Sequence, residues 1–228
     1  MSQGNRKVMS EYGMEIQHQF CPSTDVNRGT APVLVLLHGM GGNKTDLMPL
    51  GSRLKTQFCV LSVRAPIIVP EGGHSWYGVR FEPGPVIDSE QAEASRLMMI
   101  EFLNDAVQRY KLEPNGVFLA GFSQGAIIAA SVALTRPDLV AGLVMMSGRI
   151  LPEVKTQVAS VGLEQLNVFV THGRDDQRLP IFHAHETRDW LEGLGVNLTY
   201  KEYANGHEVG TQENSDVAQW LLERVAQI

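Results

Sequence analysis

The sequence predicts an α/β fold, with a mostly parallel central sheet and helices on both of its faces. Three observations predict it. Short apolar runs rich in β-branched residues recur along the chain, segments of helical period separate them, and most of the runs are continuous rather than alternating. A strand buried on both faces reads as a continuous apolar run, a half-exposed one alternates, and strands that alternate with helices belong to parallel sheets.

The elements follow in chain order. Met14 to Phe20 alternates polar and apolar residues and reads as the start of an antiparallel edge strand. Val33 to Leu37 is continuous and therefore buried on both faces, and Phe58 to Val63, Val117 to Ala120, Ala141 to Met146 and Val168 to Thr171 read the same way. Val196 to Tyr203 alternates and suits an edge. Ser89 to Tyr110 predicts a helix with Ala92, Leu97, Ile100, Leu103 and Val107 on its apolar stripe, opened by a capping box between Asp88 and Gln91. Ala126 to Thr135 is a small-residue helix that stops before Arg136-Pro137. Pro180 suits the first position of a helix running to about Leu194, with Gly195 just beyond it. Thr211 to Ala226 closes the chain with Val217, Trp220, Leu221 and Val225 on one stripe. No linker, charge run or repeat divides residues 1–228, so one domain is expected. Within it, Pro66 to Pro85, with four prolines and Gly72, Gly73, Gly78 and Gly84, reads as a long irregular loop near the active site.

Composition narrows the function. The 228 residues include 19 basic and 25 acidic side chains, a net charge of −6, which excludes a protein that neutralises nucleic-acid phosphates. With 43% hydrophobic and 19% charged residues the chain is globular rather than disordered or coiled-coil. The longest apolar stretch, around Val33 to Leu37, is far short of the roughly 20 residues that span a bilayer. Residues 1–20 show no apolar core of a secretory signal. Two cysteines, Cys21 and Cys59, make no disulfide framework, so a reduced cytoplasmic chain is expected, with a single bridge between them left open. Oligomeric state is not legible.

The 22 glycines carry the chemistry. Three clusters directly follow buried runs: His38-Gly39-Met40-Gly41-Gly42, Gly121-Phe122-Ser123-Gln124-Gly125 and His172-Gly173. In an open parallel sheet, ligands bind at the carboxyl ends of the strands, so these clusters point to one shared edge. Nucleotide readings of the first cluster fail on single residues. A phosphate-binding P-loop needs Gly before Lys44-Thr45 and finds Asn43, and a dinucleotide fingerprint needs a third glycine where Lys44 stands.

Gly121-Phe122-Ser123-Gln124-Gly125 fits the nucleophile-elbow pattern G-x-S-x-G, between the run Val117 to Ala120 and the helix from Ala126. A serine on a sharp strand-to-helix turn adopts strained backbone angles, and the positions two before and two after it have almost no room for side chains. Serine is a weak nucleophile unless a base takes its proton and an acid orients the base. In hydrolases with this elbow the partners follow in the order acid, then histidine. Of the later histidines, His183 and His185 fall inside a helix, diverge around it and read as surface residues rather than a metal pair. His172 ends a buried strand and suits a structural hydrogen bond. His207, in Asn205-Gly206-His207-Glu208, lies in the loop between the last strand and the last helix and is the candidate base. Asp175 and Asp176 both follow the penultimate strand, and spacing alone leaves them open; whichever does not orient the base is expected to be exposed or to pair with Arg174 or Arg178. The backbone N–H groups of Gln124 and Met40 are the candidate oxyanion donors, each usually worth about 2.7–4 kcal/mol.

These residues resemble the phospholipase/carboxylesterase branch of the α/β-hydrolases, which includes the acyl-protein thioesterases. The matching motifs are Leu37-His38-Gly39-Met40-Gly41-Gly42, Ser75-Trp76-Tyr77, Gly121 to Gly125, Ser147-Gly148, His172-Gly173 with Asp176 and Pro180, and Gly206-His207-Glu208. The resemblance implies the α/β-hydrolase fold and places the acid at Asp176. It supports Met40 and Gln124 as oxyanion donors and implies that Trp76 lines the acyl groove, with Leu179 also among the substrate-binding residues. It implies no metal and no cofactor. The thioesterase-like members tend to carry Asp, Asp and Gly where this chain has Gly42, Gly78 and Ala126. The expected activity is therefore a serine carboxylesterase acting on a small or lipid-like ester through an acyl-enzyme. An acyl-thioesterase or lysophospholipase using the same three residues is the alternative, and a catalytically silent hydrolase-fold binding module is the non-enzymatic one.

Overall fold

In the computed structural model, which describes residues 16–25, 31–70, 72–81 and 85–228, the alternation of strand and helix builds one sheet. Strands β1 (Gln17–Cys21) and β2 (Val33–Leu37) lead to a short helix α1 (Met48–Leu54) and strand β3 (Cys59–Arg64). Four two-residue strands follow: β4 (Ile67–Ile68), β5 (His74–Ser75), β6 (Val79–Arg80) and β7 (Val86–Ile87). Helix α2 (Ser89–Tyr110) then leads to β8 (Val117–Phe122), α3 (Gln124–Thr135), β9 (Gly142–Met146), α4 (Pro152–Lys155) and β10 (Asn167–Gly173). Helix α5 (Phe182–Leu194), β11 (Asn197–Tyr203) and α6 (Thr211–Val225) close the chain. The seven longer strands pair in the order β1-β3-β2-β8-β9-β10-β11, parallel throughout except for β1 against β3. This is the mostly parallel sheet of the α/β-hydrolase fold.

The continuous apolar runs are explained by two cores. Val33, Val35 and Leu37 of β2 face the side covered by α2, α3 and α5, whereas Leu34 and Leu36 face the side covered by α1 and α6. Successive side chains of a strand point to opposite faces, so a strand covered on both has no polar position to alternate with. β11 at the sheet edge is mostly half-exposed, as its alternation predicts. β1 pairs antiparallel at the other edge, and the predicted strand's first residues, 14 and 15, lie outside the described residues.

Four details differ from the sequence reading. The buried face of α2 includes the expected Ala92 and Leu103 but runs on through Ser95, Met99, Phe102 and Ala106, with Leu97, Ile100 and Val107 only partly buried; Ser95 is held inward because its hydroxyl donates to Trp76 O. Its capping box is half made: Asp88 accepts from Gln91 N, but the Gln91 side chain instead accepts from Gly78 N at 2.8 Å and ties down the preceding loop. α5 starts at Phe182, two residues after Pro180, because its entry is a tighter turn in which His183 N and Ala184 N donate to the carbonyls of Pro180 and Ile181. Among the described residues of 66–85, short antiparallel pairings also interrupt the expected irregular loop: β4 pairs with β5, and β6 pairs with β7 just beyond the segment.

Sheet topology settles the two cysteines. Cys21 sits opposite Val60, so Cys59, one residue earlier on β3, points through the other face. Cys59 belongs to the core under α2 and α3, while Cys21 packs against the opposite core, and both thiols are free. Protein purified without reductant and then unfolded should titrate two thiols per chain with Ellman's reagent; a count of zero would contradict this register.

Candidate active site

Chain order reverses direction between β2 and β8: β2 is followed by β3 on one side and β8 lies on the other. The loops leaving these two strands diverge and open a crevice at their carboxyl ends. Ser123 occupies that point. It has φ 53° and ψ −120°, a conformation seldom adopted by a residue with a side chain. Its N–H donates to Met146 O at 2.9 Å, and its carbonyl accepts from Ile127 N at 3.1 Å, starting α3. The flanking glycines are required by contact. A Cβ on Gly121 would overlap the backbone of Gly125 and Ala126, and a Cβ on Gly125 would overlap the carbonyl of Leu37.

His207 and Asp176 meet Ser123 at the same carboxyl edge, from the loops that follow β11 and β10. His207 Nε2 lies 2.9 Å from Ser123 Oγ, and His207 Nδ1 lies 2.6 Å from Asp176 Oδ2. The carboxylate has only acceptors to offer, so Nδ1 donates to it and Nε2 is left to accept the serine hydroxyl. Asp176 is buried, and its other oxygen accepts from Arg178 N and Leu179 N at 2.9 and 2.8 Å. The two adjacent aspartates thus separate: Asp175 is exposed, and Arg174 pairs with Glu202 instead. His172 takes the structural part expected of it, with Nε2 2.7 Å from Leu179 O and 3.4 Å from Asp176 Oδ2.

The loop carrying His207 is tied down by groups the sequence did not single out. Arg174 N and Asp175 N donate to the carbonyls of Tyr203 and Asn205, and a Cβ on Gly173 would overlap the carbonyl of Gly206. Beneath them lies Glu213, fully buried in the first turn of α6, where burial raises its carboxyl above the usual range. It bonds Thr171 Oγ1 at 2.6 Å, Gly210 N at 3.2 Å and Asn205 Nδ2 at 3.3 Å, joining strand, loop and helix. A buried acidic residue inside an amphipathic helix leaves no pattern distinguishing it from a surface one.

On the opposite side, the glycine turn after β2 is held by His38. Ala65 N donates to His38 Nε2 at 3.0 Å, which leaves Nδ1 to donate to Gly39 O at 2.7 Å. Gly41 N donates to His74 O, and His74 N donates to Gly42 O. A Cβ on Gly39 would come within 3.4 Å of Ser123 Cβ, so the Gly39-Met40 peptide passes directly beside the serine. Met40 and Gln124 both line the same cavity as Ser123, about 1020 Å³ in volume, together with Leu179. Trp76 does not: it is fully buried, with Nε1 donating to His38 O at 2.8 Å, and its neighbour Tyr77 forms the wall instead. The Gln124 side chain orders this wall, accepting from Ser75 Oγ and Trp76 N and donating to Tyr77 O at 3.0 Å. His183 also lines the cavity rather than the outer surface, whereas His185 bonds Glu202 at 2.9 Å. Among the described residues no group of three or more His, Cys, Asp or Glu is placed to hold a metal, and no helix is long and apolar enough to cross a membrane.

Two outcomes follow from this geometry. Gly125→Ala should destabilise the fold by about 3 kcal/mol or more, because backbone must move to admit the methyl group. Gly193→Ala in α5, where an added Cβ meets nothing, should be neutral or stabilising by up to about 1 kcal/mol. Equal effects in thermal melts would contradict the close approach. Burial also lowers the proton affinity of His18, His38 and His172 below the ordinary histidine range. The unfolded chain then binds more protons than the native one below about pH 6.5, and each such histidine costs up to about 1.4 kcal/mol per pH unit. Glu213, with its raised carboxyl, acts in the opposite sense, one group against these three histidines. The melting temperature should therefore fall between pH 7 and pH 5; a rise would refute the neutral buried imidazoles.

The comparisons with known proteins agree with this architecture. Residues 25–223 match the phospholipase/carboxylesterase family model. The putative hydrolase MhqD of Bacillus subtilis is 26% identical over 202 residues, covering 87% of this chain and 96% of its own. Acyl-protein thioesterase 1 of Kluyveromyces lactis is 24% identical over 206 residues, covering 83% and 90%. A Bacillus cereus carboxylesterase of known structure superposes with a TM-score of 0.80 at 26% identity, covering 92% of this chain and 94% of its own. The chain belongs to the phospholipase/carboxylesterase family of α/β-hydrolases, whose general activity is ester hydrolysis.

Proposed function

We propose that this protein is a serine carboxylesterase in which Ser123 is the nucleophile, His207 the general base and acid, and Asp176 the residue that orients and charges the imidazole. The observation that carries the reading is the hydrogen-bonded line from Ser123 Oγ through His207 to Asp176 Oδ2, at 2.9 and 2.6 Å. In the first half-reaction Ser123 Oγ attacks the ester carbonyl carbon and its proton passes to His207 Nε2. The negative charge that develops on the carbonyl oxygen faces the N–H groups of Met40 and Gln124. Collapse of the tetrahedral intermediate breaks the bond to the alcohol oxygen, which takes the proton from the imidazolium and leaves. Water repeats the sequence on the acyl-enzyme and releases the acid. No step calls for a metal or a cofactor. With both thiols free, the reading places the protein in the reducing cytoplasm.

The likeness to an acyl-protein thioesterase supports thioester hydrolysis by the same residues as a second reading. Gly42, Gly78 and Ala126 stand where those members tend to carry Asp, Asp and Gly, which favours a simple carboxylic ester. Rates on acyl thioesters, lysophospholipids and p-nitrophenyl esters of increasing chain length separate the two readings.

Ser123→Ala should lower kcat on p-nitrophenyl acetate by about three orders of magnitude or more. Asp176→Asn should cost on the order of 10³–10⁴, because it favours the wrong imidazole tautomer. Asp175→Asn should stay within about threefold of the parent, since its side chain is exposed and the two His207 ring nitrogens bond Asp176 and Ser123 instead. Near-normal turnover by Ser123→Ala, or a larger loss at Asp175 than at Asp176, would overturn the assignment.

A further inference from the structure

We propose that Arg149 is the anion-binding residue of this cavity, and that the preferred substrates are esters whose apolar body carries a single carboxylate. The inference rests on the esterase reading of Ser123 and specifies its substrate. Arg149 is half-buried in the wall of the cavity that holds Ser123 and His207. No acidic side chain among the described residues pairs with it. A guanidinium in a partly desolvated wall presents five N–H donors in a planar fork, which matches a carboxylate through two parallel hydrogen bonds. Its charge is felt by the neighbouring wall: besides the larger effect of burial, it disfavours protonation of His183 and favours ionisation of Tyr77.

The backbone holds this arginine in place. Ser147, at the end of β9, has φ 48°, is fully buried, and donates its N–H to Thr171 O at 2.9 Å. A Cβ on Gly148 would come within 2.7 Å of Ala126 Cβ in α3, so the chain turns tightly against the helix that starts at the nucleophile. Ile150 and Leu151 are buried immediately afterwards. Arg149 is thus the one side chain of this turn left in the cavity wall, on a backbone fixed from both sides.

The rest of the wall defines the ligand. Tyr77, Phe81, Phe122, Ile127 and Phe182 supply apolar surface for the body of the ester. Asp175, Arg178 and Glu208 line the same cavity; Arg178 is exposed and its charge is screened by water, and the two carboxylates disfavour a doubly charged group such as a phosphate monoester, so the half-buried Arg149 fits a single carboxylate best. The carboxylate can sit on the acyl side or the alcohol side of the scissile bond, and two substrate pairs distinguish these sources. One compares mono-p-nitrophenyl glutarate with p-nitrophenyl butyrate; the other compares 4-acetoxybenzoate with phenyl acetate.

The parent enzyme should prefer the anionic member of one pair in kcat/KM. Arg149→Gln should reduce that anionic-to-neutral ratio by about tenfold or more, and Arg149→Lys should restore part of it. Ratios that do not change in Arg149→Gln, or a parent preference for the neutral member of both pairs, would overturn the proposal. If no ester is hydrolysed, the Ser123 reading fails separately, and calorimetric titration of monomethyl glutarate then tests the anion site by itself. Binding that Arg149→Gln abolishes supports the site; no binding to the parent chain refutes it.

Discussion

At Gly125 the first turn of α3 lies against the carbonyl of Leu37 so closely that no side chain fits between them. That contact joins the helix to the end of β2, and the position of the whole site depends on it. With α3 fixed there, the chain must leave β8 through one residue of positive φ, and that residue is Ser123. A conformation of this kind costs about 1–3 kcal/mol and persists only where its surroundings over-determine it. Here the surroundings are the bonds to Met146 and Ile127 and two glycines packed on backbone. The same contact brings the Gly39-Met40 peptide beside the serine, so the proposed nucleophile and the proposed oxyanion donors are positioned together.

Around this rigid centre the mobile chemistry is held by buried polar groups, each with a defined partner. Asp176 receives two backbone N–H groups besides His207, which sets its carboxylate plane before any substrate arrives. Glu213 secures the loop that brings His207 over the sheet, and Gln124 secures the wall formed by Ser75 to Tyr77. Leaving such groups unpaired in the interior would cost about 1–3 kcal/mol each, so these networks fix loop geometry as well as stability. The account therefore divides the work: close-packed glycines place the serine, and buried hydrogen bonds place its partners.

Much of this was legible in the amino-acid sequence, and the limits have physical causes. Continuous runs such as Val33 to Leu37 reveal strands covered on both faces, and G-x-S-x-G between a strand and a helix reveals the elbow, because both patterns arise from local sterics. The apolar face of α2 is only partly legible because its buried side includes Ser95, held inward by a hydrogen bond to Trp76 O, and Ala106, and hydropathy gives small residues little weight. Trp76 leaves the cavity wall expected of it, and Tyr77 lines it instead, because the tryptophan N–H finds a carbonyl partner in the core, at His38 O. The positions of Glu213, Arg149 and the Gln124 side chain depend on contacts between elements distant in sequence, for which no local pattern exists. Spacing alone leaves Asp175 and Asp176 open; the family resemblance favours Asp176, and the fold supplies the physical reason, with Asp175 exposed and Asp176 buried against His207.

The most direct test of the central claim is covalent labelling with a fluorophosphonate probe, read by peptide mass spectrometry. A serine whose hydroxyl is bonded to a carboxylate-oriented imidazole should be labelled stoichiometrically on the peptide containing Ser123, and His207→Ala should abolish the adduct. A chain that remains unlabelled under these conditions, or one labelled at another residue, would contradict the account.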